Sequence, residues 1–207
     1  MIPNGYKLLT CPHCGNKKKV INLMSGNTCG ASLWSDAKHV TPMLPKISYV
    51  QQCPSCKHYF LFDKNSQREE INDDYKSFCL ETGNLSYQQL KEAYVELSND
   101  KIIDEFSFRI MLIWGYNDVY YKQTNIPKEE YEYFVDNVRA LLPLMNDNDI
   151  ILTSELHREI GEFDEAIKII ENNQASNEFI QKVQQQILER SQIKDSKVFL
   201  LYGEGRI

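Results

Sequence analysis

Two short cysteine pairs have the residue types and the spacing of metal ligands. They lie at residues 11–14 (Cys-Pro-His-Cys) and 53–56 (Cys-Pro-Ser-Cys). Two thiolates separated by two residues bend around one metal ion, and two such pairs supply the four sulfur ligands of a closed tetrahedral zinc site. We therefore expect one structural Zn²⁺ bound by Cys11, Cys14, Cys53 and Cys56.

A complete shell of four cysteines leaves no coordination position for water, so such a site stabilises the fold and does not catalyse. Iron in a rubredoxin-like electron carrier also accepts four thiolates and is the chemically active alternative. The sequence shows no motif for a partner cofactor, and it carries a large helical part that an electron carrier does not need. Zinc is therefore the preferred interpretation.

Other residues near the pairs have ligand chemistry. We interpret them as bystanders, because four cysteines already fill the shell: Cys29, His13, His39 and His58. Cys79, in a polar stretch, is interpreted as a small residue packed against the helices. Ser35, Asp36 and His39 have the residue types of a hydrolase, but a fold assembles such triads and proximity in sequence does not. We predict no catalytic residue.

Charged residues are distributed unevenly along the chain. Residues 1–62 carry seven lysines and one acid, whereas the remainder carries 16 Lys and Arg against 28 Asp and Glu. The basic part could contact nucleic acid through Lys17, Lys18 and Lys19, with Tyr59 and Phe60 as stacking faces. A nucleic-acid surface usually needs a wider basic patch, and lysine also protects a strand edge. Nucleic-acid association is therefore the alternative function.

No segment has the pattern of a secretory signal or the roughly 18 uncharged apolar residues of a membrane span. We expect a cytoplasmic protein without membrane association. The reducing cytoplasm favours free thiols and metal ligands over disulfides.

The residues around the cysteines favour loops and short strands, because Gly, Asn and Pro recur every few positions. Strands are predicted at residues 17–23, 47–51 and 58–62, with a long loop from Trp34 to Pro45. Three short strands around one metal make a zinc ribbon over residues 1–64. Metal binding contributes most of the folding free energy of such a ribbon, on the order of 10 kcal/mol.

The glycine that follows the first cysteine pair is explained by backbone conformation. After the second cysteine of the first pair, Gly15 can take a positive φ that directs backbone N–H groups at the thiolates. The second pair has Lys57 in that place, and lysine enters this region of backbone space less easily.

The rest of the chain is predicted to be helical after a polar connector at residues 65–84. Ser86 and Gln89 form a capping box, and apolar periodicity defines the later helices. Six helices are predicted near residues 87–97, 102–121, 127–142, 150–160, 163–172 and 176–193. A final strand or a docked tail is expected at 198–202. The fold class is mostly α: a small β-rich zinc ribbon, then an α-helical array over residues 85–207.

Residues 157–170 resemble the middle of a tetratricopeptide repeat. The likeness rests on Gly161 at the turn, Phe163 two residues later, Ala166 at the helix contact, and Ile167 and Ile170 on the packed face. It implies a tetratricopeptide-like helix hairpin. The whole chain also resembles a group of bacterial zinc-ribbon proteins without an assigned activity.

Stacked helix hairpins create grooves that suit a peptide or another helix. We therefore expect a non-catalytic interaction or scaffold protein with a structural zinc site, whose helices bind a protein partner.

Overall fold

The computed structural model describes residues 2–44, 48–62, 70–71, 85–99 and 103–203. Its contacts divide the chain into two compact units, which we call the ribbon unit and the helical unit. The ribbon unit comprises Met1–Gly30 and Thr41–Ile103, and the helical unit comprises Ala31–Val40 and Asp104–Ile207. The chain therefore enters the helical unit once between its two cysteine pairs. The boundaries at residues 64 and 84 stay a prediction about domains that fold independently.

The strands are β1 (Ile2–Thr10), β2 (Lys17–Ser25), β3 (Ser32–Trp34), β4 (His39–Val40), β5 (Val50–Gln52), β6 (Tyr59–Leu61), β7 (Glu70–Ile71) and β8 (Leu200–Tyr202). The α-helices are α1 (Tyr87–Ser98), α2 (Glu105–Tyr120), α3 (Lys128–Leu141), α4 (Ile150–Glu159), α5 (Phe163–Asn172) and α6 (Glu178–Gln192). The prediction of six helices with a small β-rich start is confirmed for the described residues.

Two antiparallel hairpins form the centre of the ribbon unit. One joins β1 to β2 and the other joins β5 to β6, and a cysteine pair occupies each connection. Leu9, Val20 and Phe60 are buried between the hairpins together with two of the cysteines. The strands predicted after the first pair and on both sides of the second are present, whereas β1 was not predicted. Its Pro and Gly residues lie where the register with β2 shifts, as expected for an irregular strand end.

Helix α1 belongs to the ribbon unit. The predicted capping box is present: Gln89 donates its backbone N–H to Ser86 Oγ, and Ser86 donates its own to Gln89 Oε1. The Tyr59 hydroxyl on β6 donates a 2.9 Å hydrogen bond to Glu92 Oε2 on the helix. Burial, and then the hydrogen bond and charge of Glu92, raise the pKa of Tyr59 to about 12. Helix α1 is thus held to the ribbon by polar contacts.

Helices α2 to α6 form the body of the helical unit. Tyr116 on α2 stacks on Phe134 of α3 with ring centroids 4.0 Å apart. The α4–α5 hairpin turns at Gly161, as predicted, and this glycine has a φ of +82°. Ala166 is fully buried where the hairpin closes. Helix α6 begins differently from the prediction: the side chain of Asn177, and not that of Ser176, accepts the capping N–H of Ile180.

A small sheet of order β4-β3-β8 completes the helical unit. Leu33 pairs with His39 on one side and with Tyr202 on the other. The predicted final strand is confirmed. The long loop predicted from Trp34 to Pro45 begins with the last residue of β3 and is interrupted by β4, while residues 35–38 between them form the turn. The pairing partner of β3 lies at the far end of the sequence, so local pattern could not reveal it.

Candidate metal centre

The fold brings the four cysteines of the two pairs into one cluster. All four sulfur atoms lie within 4.8 Å of one another. Cys11 Sγ is 3.7 Å from Cys56 Sγ, and Cys14 Sγ is 3.6 Å from Cys53 Sγ. Each of these short distances joins one hairpin to the other. The cluster therefore links the two halves of the ribbon.

These distances fit a tetrahedral four-sulfur metal site. With metal–sulfur bonds of about 2.3 Å, the sulfur atoms of a tetrahedron lie about 3.8 Å apart. Cys11 and Cys53 are buried, Cys56 is half-buried and Cys14 is exposed. The cluster thus has a buried side within the ribbon core and an open side at the surface.

Both cysteine turns have the same backbone geometry. Gly15 donates its N–H to the carbonyl of Cys11 at 2.9 Å, and Lys57 donates to the carbonyl of Cys53 at 3.0 Å. Gly15 has a φ of +73° and Lys57 a φ of +64°. Lysine therefore adopts the left-handed conformation that its position demands, although this costs a non-glycine residue about 1–2 kcal/mol. The geometry of the site overrides the local preference of the residue.

Backbone amides and neighbouring thiols set the protonation of the cluster. Burial raises the pKa of the Cys53 thiol, but N–H groups of Cys56 and Ser55 and the thiols of Cys56 and Cys14 lower it, for a net value of about 6. At Cys56 a hydrogen bond from the His58 backbone lowers the pKa, while burial and the neighbouring thiols raise it, to about 12. Four thiolates therefore coexist only when a cation neutralises their repulsion.

The remaining predicted bystanders lie in several places. Among the described residues, the four-cysteine group does not include Cys29, which is exposed and donates its backbone N–H to Asn27 Oδ1. His39 lies in the helical unit, where its Nε2 is 3.4 Å from the Tyr202 hydroxyl. Cys79 and the predicted connector, apart from Glu70–Ile71, lie outside the described residues.

Two histidines lie beside the cluster. His13 and His58, each from a different cysteine turn, stack with ring centroids 3.7 Å apart and form a second group of close ligand atoms with Cys56. The prediction treated both as bystanders because four cysteines already fill the shell of one ion, and sequence spacing did not show that the two rings stack. Their exposure leaves both rings accessible to solvent.

The basic part of the chain is less open than its sequence suggests. Lys18 donates from Nζ to Gln51 Oε1 at 3.2 Å, while Lys17 is exposed. Tyr59 and Phe60 are buried, with 7% and 5% of their surface accessible. The expectation that these two rings offer stacking faces is therefore wrong, because they fill the ribbon core.

A buried polar cluster in the helical unit was not predicted. Asn117 Nδ2 donates 2.9 Å hydrogen bonds to both Asp36 Oδ2 and Glu159 Oε2. Arg158 donates to both carboxylate oxygens of Glu155, and to the backbone carbonyls of Asp195 and Lys197. All of these side chains are at least 95% buried, apart from the two residues that contribute only carbonyls. Periodicity alone would have assigned the charged members to a solvated helix face.

The cluster holds more negative than positive charge. Burial raises the pKa of Glu159 well above its ordinary value, and the carboxylates of Glu155 and Asp36 raise it further, against the opposing effects of Arg158 and Asn117. Glu159 Oε1 is buried and has no hydrogen-bond partner among the described residues. Burial and the two neighbouring acids therefore favour the protonated form of Glu159.

Ser35 and Asp36 make hydrogen bonds within the helical unit. Ser35 Oγ accepts the backbone N–H of Phe199 at 3.0 Å, and the Asp36 carbonyl accepts the indole N–H of Trp114 at 2.9 Å. His39 has the separate contact with Tyr202 given above. The three residues that suggested a hydrolase therefore attach residues 31–40 to α2 and to the C-terminal strand region.

Comparison of the chain with protein-family models, with curated proteins and with solved structures gives no match. Within the part of the chain that the structure describes, no helix is long and apolar enough to cross a lipid bilayer.

Proposed function

We propose that Cys11, Cys14, Cys53 and Cys56 bind one Zn²⁺ ion that folds the ribbon unit and takes no part in chemistry. The observation that carries this proposal is the set of four sulfur atoms at near-tetrahedral spacing, contributed equally by two hairpins. Four protein ligands leave no position for water or substrate. The metal accordingly acts as a cross-link between the hairpins.

Zinc is proposed over iron on chemical grounds. A rubredoxin-like iron site would have the same four ligands, so geometry alone does not separate the two metals. Zinc has no redox chemistry and suits a site whose role is to fix a fold. The iron alternative predicts a red protein with a reversible one-electron couple, whereas the zinc protein is colourless.

Metal analysis of the purified full chain tests this assignment. We expect one equivalent of zinc, and we expect Cys53→Ser to lose it together with the circular dichroism of the ribbon. Cys29→Ser is the matched control, because Cys29 is exposed and outside the cluster. Iron in place of zinc, or equal metal content in the Cys53→Ser and wild-type chains, would contradict the proposal.

We further propose that the helical unit binds a protein partner with a basic surface, in a cytoplasmic setting. Residues 31–40 and 104–207 carry 20 Asp and Glu against 12 Lys and Arg. Apolar side chains are also exposed on this unit, Phe179 and Leu144 among them at 46% and Ile193 at 74%. Acidic charge with exposed apolar groups favours a basic, amphipathic protein segment and repels nucleic acid. The tetratricopeptide-like hairpin is consistent with such a role.

Capture from cell extract by the immobilised full chain tests the partner, with and without nuclease. We expect nuclease-resistant capture that weakens when Glu129 and Glu132 on α3 are both replaced by Lys. The matched variant replaces Lys17 and Lys18 of the ribbon by Glu and should leave capture unchanged. The reverse pattern, with nuclease-sensitive capture lost in the ribbon variant, would favour the alternative of a nucleic-acid-associated zinc ribbon.

A further inference from the structure

The open side of the cysteine cluster carries a second set of metal-ligand groups. His13 follows Cys11 by two residues in the first turn, and His58 follows Cys56 by two residues in the second. Their imidazole rings stack with centroids 3.7 Å apart and an interplanar angle of 13°. One ligand atom from each ring and the Cys56 sulfur lie within 4.8 Å of one another. The two hairpins thus bring together two imidazoles and one thiolate.

The hydrogen bond of His58 leaves one ring nitrogen free to bind a metal. His58 Nδ1 lies 3.2 Å from the backbone carbonyl of Cys56. A carbonyl only accepts hydrogen bonds, so the proton of this bond is on Nδ1 and the lone pair of the neutral ring is on Nε2. Histidines that ligate metals commonly donate their other ring N–H to a backbone carbonyl in this way, which fixes tautomer and ring orientation.

The proposed zinc site makes Cys56 able to serve two ions. Four thiolates around one Zn²⁺ leave a formal charge of −2, which attracts a second cation. A zinc-bound thiolate keeps lone pairs that point away from the first metal, and ligand atoms of the two exposed histidines lie within 4.8 Å of the Cys56 sulfur. A sulfur bridge between two ions is therefore compatible with the cluster.

We propose that His13, His58 and Cys56 bind a second, exchangeable divalent cation of the borderline-soft class, such as Zn²⁺. This inference rests on the zinc site proposed above. Ligand atoms in a tetrahedral site of two nitrogens and one sulfur are about 3.3–3.6 Å apart. The two rings are stacked nearly parallel, and because both are exposed they can turn out of this stack until their in-plane lone pairs converge on one ion. Three protein ligands leave the fourth position to water, so this ion exchanges more readily than the first.

Calorimetric titration of the one-zinc full chain with Zn²⁺ tests the second site. We expect one further equivalent, bound at least tenfold more weakly than the first. His13→Asn and His58→Asn should each weaken it tenfold or more while leaving the first zinc in place. His39→Asn is the matched control, because His39 is also exposed but lies in the helical unit, and it should change neither equivalent.

An NMR measurement tests the second site by a property other than binding affinity. Long-range ¹H–¹⁵N NMR should report the Nδ1–H tautomer at His58 in the one-zinc chain, and the second equivalent should shift its Nε2 resonance. Absence of a second equivalent, or one that both histidine variants retain, would overturn this inference and leave the first site standing. A chain in which Cys53→Ser leaves the full metal content would instead refute the four-cysteine site itself.

Discussion

Asn117 on α2 donates a 2.9 Å hydrogen bond to the buried carboxylate of Asp36, eighty-one residues earlier in the chain. The same nitrogen donates to Glu159 on α4 at 2.9 Å. An amide nitrogen has two hydrogens, so its donor capacity is filled by these two carboxyl groups. The segment between the cysteine pairs is thereby fixed to two helices through one side chain.

Glu159→Gln should increase the free energy of unfolding at neutral pH. The folded-state pKa of Glu159 is raised, so the folded chain holds a proton that the unfolded chain releases. Stability is therefore highest below the ordinary carboxyl pKa of about 4.3, falls as pH rises above it, and levels off beyond the raised folded-state pKa. Glutamine mimics the neutral acid and removes this decline.

Urea unfolding of both chains between pH 4 and pH 8 measures the effect. Glu155→Gln provides a contrast of opposite sign, because it removes the buried ion-pair partner of Arg158 and should destabilise the fold. Equal pH dependence in the Glu159→Gln and wild-type chains would show that Glu159 is ionised in the folded state.

Arg158→Met should destabilise the helical unit by about 3–5 kcal/mol, because it leaves the Glu155 carboxylate buried and unpaired. The carbonyls of Asp195 and Lys197 lose their donors in the same change. Arg139→Met is the control, since Arg139 pairs with Glu162 at the surface and an exposed pair contributes about 0–1 kcal/mol. Thermal melting followed at 222 nm compares the two, and similar losses would refute the importance of burial.

Local signals were sufficient for the helices. The Ser86 and Gln89 capping box, Gly161 and the apolar periodicity predicted elements close to those in the structure, because each signal acts within a few residues. The metal cluster could also be predicted, since the two thiols of a pair at this fixed spacing can bind one ion. The prediction failed where the determining interaction is distant in sequence.

Residues 31–40 illustrate this limit. Their strand β3 pairs with β8, and Asp36 accepts hydrogen bonds from Trp114 and Asn117 of α2, so nothing nearby in the sequence indicates burial. Charge was misleading in the same way at Arg158, which is fully buried because four acceptors from two chain segments surround its guanidinium. The stacking of His13 on His58 likewise depends on two turns meeting in space.

Lys57→Gly should stabilise the ribbon by about 1 kcal/mol, because glycine adopts the positive φ of this position without steric cost. Lys57→Ala is the matched variant: it removes the same side chain and keeps the steric cost, so it should bring no such gain. Competition with a zinc chelator measures the difference, and the glycine variant should hold zinc about fivefold more tightly. Equal gains in both variants would assign the effect to the lysine charge.

Removal of the metal should unfold the ribbon unit and leave the tryptophan emission unchanged. Both tryptophans of the chain, Trp34 and Trp114, belong to the helical unit. Trp34 is 6% exposed and packs edge-on against Tyr121 at 5.4 Å, contacts that do not involve the cysteines. A strong chelator should therefore change the far-ultraviolet circular dichroism but not the emission maximum.

The control for this experiment is Trp34→Ala in the zinc-loaded chain. Truncation of a buried tryptophan costs about 3–5 kcal/mol, so the helical unit should melt earlier while the zinc content stays at one equivalent. A red shift of the emission on chelation would mean that Trp34 becomes exposed, and therefore that the packing of residues 31–40 requires the metal.

The pairing of Leu33 with Tyr202 has a consequence for the newborn chain. A ribosome adds about 5–20 residues per second, and so roughly 7–30 seconds separate the synthesis of Cys56 from that of Tyr202. All four cysteines emerge early and can capture their ion while most helices are still unmade. During this interval one edge of strand β3 has no pairing partner, because β8 is synthesised only at the end of these residues.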